Sequence, residues 1–198
     1  MLRLLLATRN AHKTREFAQI LGPEFVVEDL SAATNIPAPE ETGVTFAENA
    51  ALKALAASRI FGGLVVADDS GLSVAALQGA PGVRSARYAG ENASDSENVA
   101  KLLTDLAEAD EAQHSRAAKF ECALALAEKG KIVRVFEGAV TGRITGEPSG
   151  RGGFGYDPVF VPDGHTQTFA ELSPETKNFL SHRARAIAEL RRYFGEPR

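Results

Sequence analysis

The sequence predicts an α/β protein with a mixed β-sheet and flanking helices. Strand-like and helix-like segments alternate through the first half of the chain, and the middle of the chain is rich in strands. Parallel strands need long crossover connections, whereas strands joined by a tight turn lie antiparallel, so both kinds of pairing are expected. The chain of 198 residues is long enough for one well-buried domain, or for two lobes that share one sheet.

The first half begins with a strand, a helix and a second strand. Leu2 to Ala7 is an almost uninterrupted apolar run, which is typical of a buried strand. Asn10 follows as the expected N-cap of a helix whose apolar stripe includes Phe17. A strand near Phe25 to Glu28 comes next, and then the proline-containing loop NIPAPEETG.

A capping box marks the start of the second helix. Thr45 and Glu48 have the spacing in which each side chain binds the other residue's backbone N–H, and they open the segment TFAENAALKALAASRIF. Gly62 and Gly63 are expected to end this helix. The run from Leu64 to Ala67 then predicts a short buried strand.

The second half is predicted to hold a hairpin between two helices. A Gly- and Pro-rich loop, QGAPGVRSARYAG, leads to a helix from Glu97 to Ala107. Ala118 to Ala127 and Ile132 to Val140 then form neighbouring strands turned at Lys129–Gly130. A glycine-rich connection precedes a strand at Val159 to Val161. The last helix carries three apolar residues on one face: Ile187, Leu190 and Phe194.

Composition excludes several classes of protein. With 44% hydrophobic and 24% charged residues the chain is an ordinary globular sequence, and its net charge of -4 gives no basic field for nucleic acid or an anionic membrane. The single cysteine, Cys122, lies in the apolar segment FECALALA, so we expect a core residue and no disulfide. No apolar run approaches the roughly 18 residues of a membrane span, and MLRLLLATRN is too short for a signal peptide. We therefore expect a cytoplasmic protein.

The segment TRNAHK has the features of an anion site. Thr8 and Asn10 fall in the turn before the first helix, where free backbone N–H groups attract negative charge. Lys13 adds a compact positive charge suited to phosphate. The alternative is a capped helix with a solvated lysine, and the missing glycines exclude a Walker motif.

A lysine interrupts the apolar face of the second helix. Lys53 shares that face with three apolar residues: Phe46, Ala50 and Ala57. Such a lysine either extends its ammonium group to the edge of the apolar surface or faces a cleft. Just before the helix, Glu40 and Glu41 form either a solvated pair or a pair of metal ligands.

Two adjacent aspartates follow the predicted strand at Leu64 to Ala67. Asp68 and Asp69 would then lie beyond its carboxyl end, where α/β sheets bind ligands. Two neighbouring carboxylates repel each other unless a cation or hydrogen bonds compensate them. Mg²⁺ takes few protein carboxylates when substrate phosphates complete its coordination, which would suit a metal-assisted hydrolase. The alternative is a simple turn, because DDSG is rich in turn residues.

Two later segments have side chains suited to a purine base. In GGFGYDP, Phe154 and Tyr156 offer aromatic faces and Asp157 accepts hydrogen bonds, although Phe154 in the core is the alternative. In KNFLSHRARAI, three donors lie close in sequence: Lys177, His182 and Arg183. Donor groups favour the carbonyl of hypoxanthine or xanthine over the amino group of adenine. A helix N-terminus with a surface His–Arg pair is the alternative.

In this order, the motifs TRNAHK, EETGVTFAENA, ADDSG, GAPGVRSARYAG, GGFGYDPVF and SHRARA resemble those of the inosine/xanthosine triphosphate pyrophosphatases. The resemblance runs from Leu5 to the last helix. It implies an elongated mixed sheet, one domain over residues 1–198 with two lobes around a central substrate groove, and a homodimer. It also implies Mg²⁺-dependent hydrolysis of noncanonical purine nucleoside triphosphates to the monophosphate and pyrophosphate.

The resemblance also implies roles for individual residues. Asp69 is expected to be the general base and a magnesium ligand, with Asp68 beside it, and Glu41 or its neighbour Glu40 is the other acidic ligand. The expected substrate contacts are Thr8, Arg9, Asn10, Ala11, His12, Lys13, Lys53, Ser70, Phe154, Gly155, Tyr156, Asp157, Lys177, His182 and Arg183. Arg9 stands where many members have glycine, and it either reaches phosphate or points to solvent.

Two other functions compete with this interpretation. A Maf-type nucleotide pyrophosphatase would act on other modified bases, but the YDP and SHR segments favour purine recognition. A nucleotide-binding regulator without hydrolysis would not need the acidic residues Glu41, Asp68 and Asp69, which are present.

Overall fold

The computed structural model describes residues 1–31, 36–37, 39–113 and 115–195, without the side chains of 110–113. Part of the predicted NIPAPEETG loop therefore lies outside the described residues. The helices and strands, in chain order, are β1 (Leu2–Leu6), α1 (Ala11–Leu21), β2 (Phe25–Asp29), α2 (Phe46–Ser58), β3 (Leu64–Val74), α3 (Asp95–Gln113), β4 (Ala117–Glu128), β5 (Lys131–Ile144), β6 (Phe160–Pro162), α4 (Pro174–Leu180) and α5 (His182–Gly195).

The strands form one mixed six-stranded sheet in the order β2-β1-β3-β4-β5-β6. β1 pairs parallel with β2 and with β3, whereas β5 pairs antiparallel with β6. The prediction of an α/β fold with a mixed sheet is confirmed. Lys129 and Gly130 both have positive φ, at 50° and 73°, as a two-residue hairpin turn requires. Within the described residues, no helix has the length and apolarity needed to span a bilayer.

The Asp-Asp-Ser-Gly segment lies inside a strand and does not form a turn. β3 was predicted to end at Ala67, but it continues to Val74 and includes both aspartates. β3 lies between β1 and β4 in the sheet, and β4 is 12 residues long. Hydrogen bonding to neighbouring strands thus outweighs the turn preference of Asp, Ser and Gly. The turn interpretation of DDSG is wrong.

Two helices have other boundaries than predicted, and one helix was not predicted. α2 ends at Ser58, before the two glycines, because Ile60 N binds Ala57 O and tightens the last turn. α3 runs from Asp95 to Gln113, longer than the predicted Glu97 to Ala107. α4 was not predicted, although Ser173 caps it and a proline occupies its first turn.

The chain divides into two compact units. Unit 1 consists of Met1–Asp69, Cys122–Gly138 and His182–Arg198. Its strands alternate their side chains between two apolar clusters: Leu4 and Leu6 pack in one with Phe17 of α1 and Ile187 of α5, whereas Leu5 packs in the other with the alanines of α2. Helices therefore cover both faces of this part of the sheet.

Unit 2 consists of Ser70–Glu121 and Ala139–Ser181. Its core contains aromatic contacts, with the ring of Phe160 4.7 Å from that of Phe120 and 5.2 Å from that of Phe169. Leu102 and Leu106 of α3 pack in the same cluster. Each fully buried side chain of this kind contributes about 1.5–3 kcal/mol of transfer free energy.

Candidate active site

Unit 1 contains two groups of paired charges on neighbouring positions of β3. We call Lys13, Glu16, Asp68 and Arg183 the Asp68 cluster, and Glu41, Lys53 and Asp69 the Asp69 cluster. Because successive residues of a strand point to opposite faces, Asp68 and Asp69 direct their carboxylates to different sides of the sheet. Each carboxylate binds different cations, so the repulsion between the two adjacent aspartates is compensated.

In the Asp68 cluster, a fully buried carboxylate lies between two cations. Arg183 Nε donates to Asp68 Oδ2 over 2.9 Å, and Lys13 Nζ donates to Asp68 Oδ1. Cys122 Sγ is 3.2 Å from Asp68 Oδ2, and Arg183 also pairs with Glu16 through Nη1. Arg183 itself is 1% exposed. Its guanidinium group therefore serves two carboxylates inside unit 1.

These contacts keep Asp68 ionised. Burial alone would raise the pKa of Asp68, but Arg183 and Lys13 outweigh it and hold the pKa well below its usual range. Burial and the neighbouring Asp68 carboxylate raise the pKa of the Cys122 thiol well above its ordinary value. Cys122 is therefore a protonated core residue, as its sequence position predicted.

In the Asp69 cluster, one ammonium group joins two carboxylates. Lys53 Nζ lies 2.7 Å from Asp69 Oδ1 and 3.0 Å from Glu41 Oε1. The side chains of Lys53 and Asp69 are 13% and 10% exposed. Lys53 thus faces neighbouring acidic groups and does not extend to solvent. Glu40 is exposed, so of the two adjacent glutamates it is Glu41 that belongs to this cluster.

The pKa values of Lys53 and Asp69 are both raised, but for different reasons. Burial lowers the pKa of Lys53, but Asp69 and Glu41 together overcome that effect and raise it. Burial raises the pKa of Asp69 by more than Lys53 lowers it, and the Glu41 charge acts in the same direction as burial. A single ammonium shared by two carboxylates compensates each only in part. Asp69 is therefore a stronger base than an exposed aspartate.

The Asp69 cluster has a donor set that fits Mg²⁺. Asp69 Oδ2 is buried and has no hydrogen-bond partner among the described residues, so it is an acceptor left available to a ligand. Within the described ranges, no group of three or more His, Cys, Asp or Glu side chains is placed to hold a metal alone. Mg²⁺ in nucleotide sites uses one or two carboxylates plus substrate phosphates, which is what Asp69 and Glu41 can supply.

The predicted anion segment leads into α1 in unit 1. Asn10 Oδ1 accepts from His12 N at 2.9 Å and from Lys13 N at 3.2 Å, so the cap predicted from sequence is present. Asn10 N in turn donates to Thr8 Oγ1. Ala11 and His12 are exposed. Their exposure leaves this end of α1 accessible to a ligand.

Arg9 has a contact that neither sequence interpretation anticipated. Its Nη2 atom donates to the backbone carbonyl of Ile36 over 2.8 Å. The guanidinium thus holds a neighbouring loop within unit 1. Arg9 is exposed apart from this contact, and its binding to phosphate stays a prediction.

In unit 2, Asp157 organises the glycine-rich segment. Its Oδ2 atom accepts from Lys177 Nζ at 2.6 Å and from Phe154 N at 2.8 Å. The Lys177 ammonium also lies 4.8 Å from the centroid of the Phe154 ring. A Cβ on Gly153 would approach Asp157 Oδ2 to 2.0 Å, and the φ of Gly153 is +70°, so only glycine fits there. Lys177, Asp157 and Phe154 therefore form one compact group.

Tyr156 is a core residue with a fixed hydroxyl group. It is 4% exposed and packs in the apolar cluster of unit 2, while its hydroxyl donates to Ser85 O at 2.8 Å. Burial raises its pKa well above the ordinary value, and Tyr88 and Asp95 add to the effect. Gly155 N donates to Asp95 Oδ2 at 2.7 Å. Hydrogen bonds to Asp95 and Ser85 therefore fix the turn from Phe154 to Asp157.

The remaining predicted contacts are Ser70 in β3 and the donors of α4 and α5. Ser70 is half-buried and begins the part of β3 that belongs to unit 2. His182 is 5% exposed and is the first residue of α5. Of the three donors predicted to act together, Lys177 belongs to unit 2, and His182 and Arg183 belong to unit 1. Their joint action on the base stays a prediction.

Four residues that bind predicted site residues, or the segment after Glu41, were missed in the sequence: Glu16, Asn49, Ser85 and Asp95. Glu16 follows Lys13 by three positions on α1, which places both on one helix face. Ser85 lies in the motif GAPGVRSARYAG, and its hydroxyl accepts from Leu72 N at 2.9 Å. Asn49 lies between Glu48 and Ala50 in α2. These spacings were visible, but their partners depend on the tertiary fold.

Comparison with known proteins identifies the class to which this fold and these clusters belong. The model of the Ham1 family matches residues 4–193. A dITP/XTP pyrophosphatase of Geobacillus kaustophilus is 51% identical over 191 residues, which cover 96% of this chain and 93% of that protein. A dITP/XTP pyrophosphatase of Streptomyces avermitilis is 50% identical over 193 residues, covering 96% of each chain.

A solved structure agrees with the sequence comparisons. The structure of a HAM1 protein from Coxiella burnetii superposes with a TM-score of 0.89 at 42% sequence identity, and all of both chains is covered. The chain belongs to the Ham1 family. The family predicted from the ordered motifs is thereby confirmed.

Proposed function

We propose that the protein is a nucleoside-triphosphate pyrophosphatase that hydrolyses dITP, ITP and XTP to the monophosphate and pyrophosphate. Two relatives with about half of their residues identical are named dITP/XTP pyrophosphatase. The structural observation that carries the proposal is the Asp69 cluster, where Asp69 keeps one buried oxygen available beside the Lys53 ammonium. A base and a cation side by side suit water attack on a phosphate.

Asp69 and Glu41 would hold Mg²⁺ in this enzyme. When bound, the ion supplies positive charge that offsets the charge on the phosphate oxygens. Asp69 accepts a proton from the attacking water, a role that its raised pKa favours at neutral pH. The water oxygen bonds to the α-phosphorus, the bond from that phosphorus to the α–β bridging oxygen breaks, and pyrophosphate leaves with the bonding electrons.

Cations of unit 1 would hold the triphosphate. Lys53 is already next to Asp69, and Lys13 follows the segment Thr8–Ala11 at the start of α1. Backbone N–H groups at this helix end and the two ammonium groups all favour a polyanion. Lys13 contacts Asp68 in this structure, so phosphate binding draws it partly away from that carboxylate.

The Asp157–Lys177–Phe154 group in unit 2 would read the base. Lys177 donates only and suits the O6 carbonyl of hypoxanthine or xanthine, while Asp157 accepts only and suits a ring N–H. Adenine offers the reverse pattern, with an amino group at C6 and a bare N1. Such a site rejects adenine because the amino group would face the Lys177 ammonium and the N1 lone pair would face the Asp157 carboxylate. Phe154 provides a ring face for stacking.

Further features complete the proposal. We expect one domain over residues 1–198 with a substrate groove between its lobes, a homodimer, a cytoplasmic location and a role in removing damaged purine nucleotides. The Ham1 match covers residues 4–193, so it supports one domain over nearly the whole chain, and it disfavours a Maf-type activity. Light scattering of the purified protein at several concentrations tests the dimer.

The direct test compares pyrophosphate release from dITP, XTP and dATP, with Mg²⁺ and with a chelator. We expect Mg²⁺-dependent release from dITP and XTP, and release from dATP slower by at least about 10²-fold, as for sites that hydrogen-bond their substrate. Orthophosphate as the product would contradict the proposal. Tight nucleotide binding without turnover would indicate the non-hydrolysing regulator.

A further inference from the structure

We propose that Asn49 is a positioning residue that fixes the Glu41 segment at the metal site. The proposal rests on the proposed function, because it assigns Glu41 to metal binding. Asn49 is completely buried in the first turn of α2, at 0% exposure. Its Oδ1 atom accepts from Gly43 N at 2.8 Å, and Gly43 follows Glu41 by two residues.

Three consecutive backbone amides before α2 are tied to side chains of its first turn. Gly43 N binds Asn49, while Val44 N and Thr45 N donate to Glu48 Oε2 at 2.8 and 3.3 Å. Backbone donors that would otherwise need water are thus satisfied by the helix itself. The segment that carries Glu41 is therefore fastened to α2.

The same helix carries Lys53, one turn after Asn49. Residues four apart lie on the same face of a helix, so Asn49 and Lys53 point to the same side of α2. Lys53 contacts both Glu41 and Asp69. Asn49 thus fixes the backbone near Glu41 to the element that bears the central cation, which sets where the Glu41 carboxylate lies.

Position 43 requires glycine because Asn49 and Glu48 occupy the adjacent space. A Cβ at Gly43 would lie 2.7 Å from Asn49 Oδ1 and 2.7 Å from Glu48 Cβ. The contact therefore requires glycine for close approach, with no demand from a positive φ. Any larger residue at this position would push the Glu41 segment away from α2.

The amide of Asn49 carries a cost to stability. Its Nδ2 atom is buried and has no hydrogen-bond partner among the described residues. A buried donor without a partner destabilises the folded state, and an apolar side chain of similar size would avoid that penalty. The contact with Gly43 gives a reason for a polar residue at this point of an apolar helix face.

The test compares Asn49→Ala with a matched control on the same helix. Ser58, at the far end of α2, is also buried at 2%, and its Oγ accepts from a loop amide, Gly130 N, at 3.1 Å. Ser58→Ala therefore removes the same kind of contact without touching the Glu41 segment. Mn²⁺ binding to each protein without nucleotide is measured by electron paramagnetic resonance, and thermal stability is measured alongside.

We expect Asn49→Ala to raise the Mn²⁺ dissociation constant about tenfold or more, as loss of a contact behind a metal ligand does. The Mg²⁺ concentration for half-maximal dITP hydrolysis rises in parallel, while kcat at saturating Mg²⁺ changes little. Ser58→Ala lowers thermal stability but leaves Mn²⁺ binding unchanged. Gly43→Ala weakens binding as Asn49→Ala does, and the double variant binds no more weakly than the weaker single variant.

Equal Mn²⁺ affinity in wild type and Asn49→Ala would overturn the proposal while leaving the enzyme assignment intact. Equal weakening by Ser58→Ala would also overturn it, since the effect would then be one of general stability. If the wild type hydrolyses no dITP and binds no Mn²⁺, the proposed function itself fails. The two failures are therefore distinguishable.

Discussion

Lys53 lies 2.7 Å from Asp69 and 3.0 Å from Glu41, so one ammonium group occupies the space between the two proposed metal ligands. A lysine in this position stabilises two carboxylates that would otherwise repel each other. It also competes for them with any divalent ion. In the proposed function, the same side chain would turn to the triphosphate when the substrate binds.

Removing that ammonium should therefore strengthen metal binding and abolish catalysis. In Lys53→Met the two carboxylates lose their compensating charge, and a divalent ion takes its place. We expect Mn²⁺ to bind the nucleotide-free variant at least about tenfold more tightly than the wild type, the gain expected from about 1.4 kcal/mol. Turnover of dITP should fall about 10²-fold or more, because a phosphate contact is lost. Weaker Mn²⁺ binding by Lys53→Met would contradict the competition.

The adjacent aspartates should respond differently to the same substitution. Asp69→Asn removes the proposed base and should lower kcat about 10²–10⁴-fold with little loss of stability. Asp68→Asn removes one of the two carboxylates that pair with the buried Arg183 and the carboxylate that pairs with Lys13, so it should lower the free energy of unfolding by about 3–5 kcal/mol.

Denaturant unfolding and dITP turnover of both variants, measured below the melting temperature of the weaker one, separate these roles. An Asp68→Asn variant as stable as the wild type but inactive would show that Asp68 acts in catalysis and not in stability.

The buried hydroxyl of Tyr156 should stabilise the fold at neutral pH and lose this effect at alkaline pH. At neutral pH the free energy of unfolding of the wild type should exceed that of Tyr156→Phe by about 1 kcal/mol, because the hydroxyl binds Ser85 O. The folded pKa of Tyr156 is raised, so its contribution is complete below the unfolded value of about 10 and is lost as pH rises above it.

The stability curves of the two proteins should therefore converge above about pH 10, since the unfolded tyrosine ionises there and the folded one does not. Urea unfolding from pH 8 to 10.5 measures the difference directly. Curves that stay parallel through this range would mean that the hydroxyl ionises equally in both states.

Lys177 is expected to decide which purine is accepted. In Lys177→Met, kcat/KM for dITP should fall about 10–150-fold, the equivalent of a lost charged hydrogen bond of about 1.5–3 kcal/mol, while kcat/KM for dATP changes little. The preference for dITP then flattens.

Lys101→Met is the matched control in the same unit. Lys101 also pairs with an aspartate, Asp105, and lies 5.0 Å from the centroid of an aromatic ring, Tyr88. It should leave the dITP to dATP ratio unchanged. An equal effect of both substitutions would remove Lys177 from base recognition.

Local features of this fold were predictable from the sequence. Asn10 and Thr45 cap their helices as expected, because a cap depends on residues only two or three positions away. The hairpin turn at Lys129–Gly130 is equally local. Family motifs also assigned Asp69 and Lys53 to one site, and these two side chains are in contact.

Long-range relationships were not predictable in the same way. Asp68 meets Lys13 from 55 positions away and Arg183 from 115 positions away. No spacing rule connects such residues, so the position of the Arg183 guanidinium between two carboxylates could not be predicted from the sequence. The contact of Arg183 with the base stays a prediction. The strand through Asp68–Gly71 was missed for a similar reason, since its neighbours in the sheet decide its conformation.

The most direct test of the central claim is hydrolysis of dITP in ¹⁸O-labelled water, with mass analysis of both products. Attack of water on the α-phosphorus, assisted by Asp69, predicts one ¹⁸O in dIMP and none in pyrophosphate. Label in pyrophosphate would place the attack on the β-phosphorus, and label in orthophosphate would show a different phosphatase. Either result would contradict the account given for the Asp69 cluster.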